Sequence, residues 1–530
     1  MGALYFGDNL DILRAEIKTE SIDLVYLDPP FNSKRDYNLL FKTPKGHDSD
    51  AQITAFDDTW HWGEQAEREF DELLHQSNTD VAEMIQAMRR FLKESDVMAY
   101  LVMMTNRLLE LHRVLKPSGS LYLHCDPTAS HYLKIVLDTV FGADNFRNEI
   151  IWKRTSAHSD AKTLGNAHDA LLFYSKGKEI VWNKQYQPYS QEYIKSHYRY
   201  VDENGRRYRT DNLTATSLSG GGYTYEWNGV TKIWRCPIHK MQELHNNGRL
   251  HYTKSGSVEY IRYLDEMPGT PLQDLWDDLS PINSQSVERL GYPTQKPLEL
   301  LERIIQASSN KGDVILDPFC GCGTAVHAAQ KLERDWIGID ITHLAISLIE
   351  KRMKDAFPGI QFEIYGTPKD LDGARNLAER DKYQFQWWAC SLVNAQPYQG
   401  KKKGSDGGID GLIFFQDDET GAKKIVVSVK GGENVSVTMV KDLIATVERE
   451  KAAMGLFITL AEPTKPMNTE AISAGFYKSP KGDFPKIQIL TIDDLLSGKA
   501  KPQYFDISSG VYNFKKAKVE RRKSEQKTLF

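Results

Sequence analysis

The chain of 530 residues is 40% hydrophobic and 26% charged, and it has no apolar run long enough to span a bilayer, which excludes a helical membrane protein. One core cannot serve that length, so roughly three or four units are expected. A formal net charge of -5 speaks against a polyanionic partner only as an average, because the charge is unevenly spread along the chain.

The opening stretch MGALYFGDNL has neither a basic start nor an apolar signal core, and Phe6 stands where a myristoylation signal needs Ser or Thr; a cytoplasmic protein is expected. Five scattered cysteines give no disulfide framework, and no CxxC pair marks a structural zinc. Ile22–Leu27 is a short apolar run of buried-strand type, ended by Asp28, Pro29, Pro30 and Phe31 in VYLDPPF. Alone, those four residues read as the end of a strand. The acidic stretch 64–96 carries Phe70, Leu73 and Leu74 at helical spacing, which predicts a partly buried helix and offers a contact for a homodimer. Residues 112–124, HRVLKPSGSLYLH, read as helix, turn and strand, with Gly119 serving the turn.

Residues 147–209 hold 12 Lys/Arg against 7 Asp/Glu, and 11 of the 25 tyrosines fall within 186–263 together with Trp227 and Trp234. Two readings stay open: phosphate contacts with base stacking, or a solvated basic face over a tyrosine-rich core. The sequence CPIH at Cys236 and His239, followed by His245 and His251, is metal-like only faintly; ordinary packing accounts for it better. Thr294, Gln295, Lys296 and Pro297 lead into a helix with Leu298, Leu301, Ile304 and Ile305 on one face. Then comes GDVILDPFCGCGTAVHAAQKLERDWIGID, in which 314–316 read as a buried strand, 317–323 as a glycine-containing loop, 324–332 as a helix and 336–339 as the next strand. Gly321 and Gly323 remove side chains where a ligand approaches the backbone, and Asp340, 19 residues after Gly321, stands where an acid bonds ribose hydroxyls. Asp317 at the head of the loop would repel a pyrophosphate. It suits a nucleoside cofactor with an ammonium and a sulfonium, such as S-adenosylmethionine.

DPPF, TQKP, DPFCGCGT and GID in this order resemble the amino-group DNA methyltransferases of the permuted β class over roughly residues 1–365. The resemblance implies a Rossmann-like α/β S-adenosylmethionine-dependent methyltransferase with circularly permuted motif order: a catalytic half at 1–150, a target-recognition region at 151–290 and a cofactor half at 291–365. It implies double-stranded DNA as partner and a bacterial, nucleoid-associated setting. Carried over, Asp317, Phe319, Gly321, Gly323 and Asp340 line the cofactor site, Thr294 and Lys296 flank it, and Asp8 in YFGDNLDIL is similar to the acid placed near the cofactor's adenine. Asp28 and the Pro29 carbonyl would each accept one N–H of an exocyclic amine, localising its lone pair, while Pro30 stiffens the turn and Phe31 stacks on the flipped base. No Pro-Cys motif for C5-cytosine chemistry is present. DPPF resembles the adenine-N6 members, whereas cytosine-N4 members more often begin with Ser.

From about residue 366 to 500 a separate unit begins, read as helix, glycine-rich loop, hairpin and strand, and it resembles the Mrr-like branch of the PD-(D/E)xK nucleases. That resemblance implies a C-terminal α/β restriction-endonuclease-like domain in which Asp410 holds magnesium and Lys430 positions water. Ser428 stands where the family has Asp, Glu or Gln, and a hydroxyl is a poor magnesium ligand; Asp406 and Glu433 are the candidates to compensate. Two whole-chain readings remain, a methyltransferase with a degenerate nuclease domain and a restriction-modification enzyme in one chain. The basic tail, 501–530, ends in QKTLF, with Gln526 first and Phe530 last, similar to the short peptide that engages the replication sliding clamp.

Overall fold

The computed structural model describes residues 2–30, 36–42, 48–57, 61–126, 129–155, 164–215, 222–253, 257–283, 286, 288–290, 292, 294–398, 408–419, 421–508 and 517–520, with side chains outside 36–57. Phe31, Asp406 and residues 526–530 lie outside the described residues, and with them the stacking and clamp expectations. Two compact units separate, one made of residues 1–183 and 274–530 and the other of 184–273.

The first unit is organised by a nine-stranded sheet. Its strands in chain order are β1 (Gly2–Phe6), β2 (Ile22–Leu27), β3 (Leu115–Cys125), β4 (Phe146–Lys153), β5 (His168–Ser175), β6 (Leu275–Trp276), β7 (Val314–Asp317), β8 (Asp335–Asp340) and β9 (Glu363–Tyr365). Their spatial order is β6-β4-β5-β3-β2-β7-β8-β1-β9. Only β5 runs antiparallel to its neighbours β3 and β4; the other pairs are parallel. All six residues of β2 are buried, as a central parallel strand covered on both faces requires.

Helices α1 (Asn9–Ala15), α2 (Glu64–Leu74), α3 (Thr79–Leu92), α4 (Asp96–Val114) and α5 (Ser130–Phe141) accompany the first half of the sheet. The partly buried helix expected in the acidic stretch forms: Phe70 and Leu73 of α2 and Val81, Ile85 and Met88 of α3 are buried in one core with Leu101 and Leu108 of α4, while Phe91 of α3 stays 72% exposed. Each such side chain contributes about 1.5–3 kcal/mol by leaving water. Gly119 also differs from expectation: α4 runs directly into β3, and the β2–β3 register jumps from Ile22 opposite Leu115 to Leu24 opposite Ser120. Gly119 lies in that irregular stretch, where a Cβ would come within 2.9 Å of the Lys116 carbonyl oxygen and 3.2 Å of the Asp23 one.

Helices α6 (Leu298–Ser308), α7 (Thr324–Lys331) and α8 (His343–Ala356) belong to the second half. β7, α7 and β8 form the βαβ unit expected from the sequence, with β7 and β8 in parallel register. Beyond β9 come α9 (Leu371–Arg380) and α10 (Lys382–Leu392), then a second sheet of five strands in the order β10 (Gln396–Pro397), β11 (Gly411–Phe415), β12 (Lys423–Lys430), β13 (Met454–Thr459) and β14 (Ile487–Thr491), flanked by α11 (Val437–Arg449) and α12 (Lys465–Ser473). No helix among the described residues is long and apolar enough to cross a membrane.

Strands β4 and β5 belong to the large sheet, so the separate unit, 184–273, is narrower than the 151–290 span read from the sequence. Much of its basic and aromatic character is used internally. Tyr198 and Trp234 are fully buried, Arg206 lies over the Tyr263 ring at 3.7 Å and pairs with Asp265 and Glu266, and Arg262 pairs with Asp211. Tyr200, Tyr223 and Tyr252 stay exposed at 40%, 52% and 39%. His245 and His251 bond to Tyr252 and Tyr208, and among the described residues no group of three or more His, Cys, Asp or Glu is placed to hold a metal ion.

Candidate active site

The centre of the large sheet sets the site. β2 and β7 are parallel neighbours, with Leu24 opposite Ile315 and Val25 opposite Leu316, so both chains leave the sheet at the same edge. From β2 the next strand lies on one side, and from β7 it lies on the other. At such a switch point the two departing loops diverge and open a crevice outside the carboxyl ends of the strands. A cavity of about 470 Å³ lies there, lined by Asp28, Pro29 and Pro30 from the β2 end and by Asp317, Phe319 and Gly321 from the β7 end.

Asp28 and Lys296, 268 residues apart, meet in this cavity. Lys296 is 7% exposed and its ammonium donates to Asp28 Oδ2 at 2.5 Å. The other oxygen, Oδ1, is buried without a hydrogen-bond partner among the described residues. An unsatisfied buried acceptor is costly, and this one belongs to a cavity-lining residue followed by two prolines that bring no N–H of their own. Behind it, the Tyr26 hydroxyl is 3.0 Å from His124 Nδ1, and His124 Nε2 is 3.2 Å from Asp169 Oδ2. Burial holds His124 below its usual range, so the ring is neutral. The carboxylate can only accept; Nε2 therefore carries the hydrogen and Nδ1 accepts from Tyr26.

On the cofactor side Asp317 is 4% exposed and accepts from the Phe319 N–H, and burial pushes its carboxyl well above the ordinary range. Asp340, ending β8, is pushed up to about 6 by burial, against bonds from the Thr342 backbone and hydroxyl and from the Gly321 N–H. Gly321 is in the left-handed region, φ +49°, and a Cβ there would meet the Tyr292 ring at 3.0 Å. Gly323 does not line the cavity. It caps α7 at φ +72°, where a Cβ would come within 2.8 Å of Ile349, so its glycine is required by the helix start and by packing. Asp8 does line it, while capping α1 through the Leu10 N–H and pairing with Arg107 at 2.9 Å. Thr294 is exposed on the rim at φ +59°.

The second expected centre assembles as well. Asp410 precedes β11, and Ser428 and Lys430 lie on β12, antiparallel to it. Its carboxylate is fully engaged: Oδ1 accepts from Gln386, and Oδ2 accepts from the Val429 N–H at 2.7 Å and the Ser428 hydroxyl at 3.5 Å, with Lys430 3.9 Å away. Among the described residues no group of three or more His, Cys, Asp or Glu is placed here to hold a metal ion, and Glu433 is exposed. The magnesium site implied by resemblance gains no support from this donor set.

Arg107, Tyr26, Tyr292, Gln384 and Trp387 also line the cavity and were not found from sequence. Tyr26 and Tyr292 adjoin recognised motifs and could have been found by proximity. Arg107 sits in mid-helix, and Gln384 and Trp387 lie 44 and 47 residues beyond Asp340, with no local signal.

Comparison with known proteins matches two families to the two parts of the chain. A family model described as DNA methylase, N6_N4_Mtase, matches residues 22–351, and one described as NACHT-associated inactive Restriction Endonuclease 1 matches 390–497. Type II methyltransferase M.EcaI of Enterobacter cloacae is 33% identical over 259 residues, 48% of this chain and 57% of that protein. The type III restriction-modification enzyme StyLTI Mod subunit of Salmonella typhimurium LT2 is 27% identical over 348 residues, 62% of this chain and 50% of that protein. The chain thus spans about half the length of these curated relatives. PvuII DNA methyltransferase, titled cytosine-N4-specific, aligns over 66% of this chain and 85% of its own at 14% identity, with a TM-score of 0.34.

Proposed function

The chain belongs to the N6_N4_Mtase family of DNA methylases, and from that premise we propose that it transfers a methyl group from S-adenosylmethionine to the N6 amine of adenine within a specific sequence of double-stranded DNA. The observation that carries this reading is Asp28 Oδ1, a buried acceptor with no partner among the described residues, at the carboxyl end of a central strand. It offers the acceptor that an exocyclic amine needs. The choice of adenine rests on Asp at the first position of DPPF.

S-adenosylmethionine, when bound, supplies a methyl carbon made electrophilic by its sulfonium and leaves as a neutral thioether. The residues present fit it. Asp340 would accept from its ribose hydroxyls, Gly321 keeps the loop free of a side chain, and the Asp317 carboxyl would ionise against its ammonium and sulfonium charges, which offsets burial. Asp28 Oδ1 accepts one N–H of the base amine and the Pro29 carbonyl the other, so the nitrogen lone pair is no longer delocalised into the ring. As the new N–C bond forms, the nitrogen sheds one proton, and Asp28, steadied by Lys296, stands beside it to take it. The Tyr26–His124–Asp169 chain fixes the floor beneath Asp28.

We read the motif order as circularly permuted and 184–273 as the unit that reads the target sequence, in a bacterial cytoplasm. For the C-terminal domain we propose kinship with the Mrr-like nucleases without cleavage. The test is single-molecule sequencing of plasmid DNA from cells expressing the chain. N6-methyladenine at one recurrent motif is expected; N4-methylcytosine would replace the base assignment, and unmodified DNA would overturn the activity.

A further inference from the structure

Two cavity-lining residues, Gln384 and Trp387, come from outside the span 22–351 matched by the methylase family. Both belong to α10. They are three residues apart and so share one face of that helix. The Gln384 side-chain oxygen accepts the His343 backbone N–H at 3.0 Å. His343 is the first residue of α8 and lies three residues after Asp340, so this face of α10 is fastened beside the turn that carries the ribose acid. In the same turn Ile341 is 57% exposed and also lines the cavity. Trp387 is half-buried, which leaves part of its side chain open to the cavity it lines.

The rest of α10 is anchored in the C-terminal domain. Gln386 donates to Asp410 Oδ1 at 2.9 Å, the Cys390 thiol donates to the Asp410 carbonyl oxygen, and Phe385, 1% exposed, packs where a Cβ on Gly431 would meet its ring at 2.9 Å. The helix therefore holds an aromatic side chain at the part of the cavity beside Asp340 and Ile341, from a platform outside the span matched by the methylase family.

We propose that α10 completes the cofactor site: Trp387 stacks on the adenine of S-adenosylmethionine opposite Ile341, and the restriction-endonuclease-like domain acts as a structural wall of the methyltransferase. This rests on the cofactor reading given above. A purine offers a π-face that an indole covers well, and such stacking is strong enough to read in affinity.

The test uses the full chain with S-adenosylhomocysteine as probe, followed by calorimetry and by quenching of tryptophan fluorescence. Trp387→Phe should retain most of the affinity, whereas Trp387→Leu should lose about tenfold, and the KM for S-adenosylmethionine should rise by a similar factor while kcat at saturation holds. Part of the fluorescence quench should vanish in both variants. Failure of the unsubstituted chain to bind the probe would overturn the cofactor reading itself. Binding by that chain with equal affinity in the Phe and Leu variants would overturn only the role of Trp387. Circular dichroism and melting temperature of the two variants without ligand separate a folding defect from a lost contact. If Leu does not fold, Gln384→Ala, which unfastens α10 from the turn before α8, supplies the comparison: its KM should rise, and an unchanged KM counts against the proposal.

Discussion

Asp28 and Asp410 are built alike and finished differently. Each adjoins a buried strand with a lysine at hand, Lys296 for the first and Lys430 for the second. Asp28 has one oxygen tied to its lysine and the other buried without a partner among the described residues; Asp410 has both oxygens taken by Gln386, Ser428 and Val429, with its lysine at 3.9 Å. A buried acceptor left open costs about 1–3 kcal/mol, and at Asp28 it belongs to a residue that lines the cavity at the carboxyl ends of the two central strands. A carboxylate saturated by its own chain has become part of the frame. On the function proposed above, the two aspartates separate an acceptor left open for a ligand from one taken up by the frame of its own domain.

Removing the open acceptor should have the largest effect. Asp28→Ala is expected to lower kcat for methyl transfer by about 10²–10³-fold or more while calorimetry still shows S-adenosylhomocysteine binding. Retention of transfer within tenfold would erase the distinction between the two aspartates. The lysines sharpen it next. Lys296→Met leaves Asp28 buried and unpaired, an expected loss of about 3 kcal/mol in urea unfolding. Lys430→Met removes a longer pair in which the lysine is 34% exposed, and the loss should stay under about 1 kcal/mol. Similar losses in the two variants would show that Lys430 holds Asp410 as tightly as Lys296 holds Asp28.

The smallest effect is one of pH. Asp340 has its folded pKa raised to about 6, so its contribution to the stability of the empty protein is present below the ordinary carboxylate range and is lost as pH rises through 6. Cofactor binding runs the other way, because ribose hydroxyls need the ionised acceptor. Affinity for S-adenosylhomocysteine should fall as pH drops through about 6, and Asp340→Asn should flatten that inflection in a calorimetric series. Asp317, raised well above its usual value by burial, adds to the same trend.

The local signals that make the site legible are those in which chemistry and chain geometry coincide. The run Ile22–Leu27 has to be a buried strand, and two prolines have to end it, so residue order alone puts Asp28 at a strand end. The loop from Asp317 to the start of α7 is legible for the same reason, although Gly323 serves the helix start. What stays hidden is pairwise and distant. Nothing near Lys296 says that it reaches Asp28, and nothing near Trp387 says which cavity it faces. The basic, aromatic stretch misleads in part because a side-chain count cannot tell an arginine stacked over Tyr263 from one presented to a phosphate.

The unit 184–273 begins and ends in one narrow stem. Tyr186 and Gln187 pair antiparallel with Pro271 and Thr270, and the Leu272 N–H donates to the Gln185 carbonyl oxygen at 3.0 Å. A segment that departs and returns through the same two short strands behaves as a cassette: its interior can lengthen, shorten or be exchanged while the stem keeps the spacing of the chain on either side. Loop-closure entropy changes only slowly with the length enclosed, so such exchanges weigh little on the catalytic sheet. On the function proposed above, exchange of this unit would rewrite which bases are read and leave the residues around Asp28 in place.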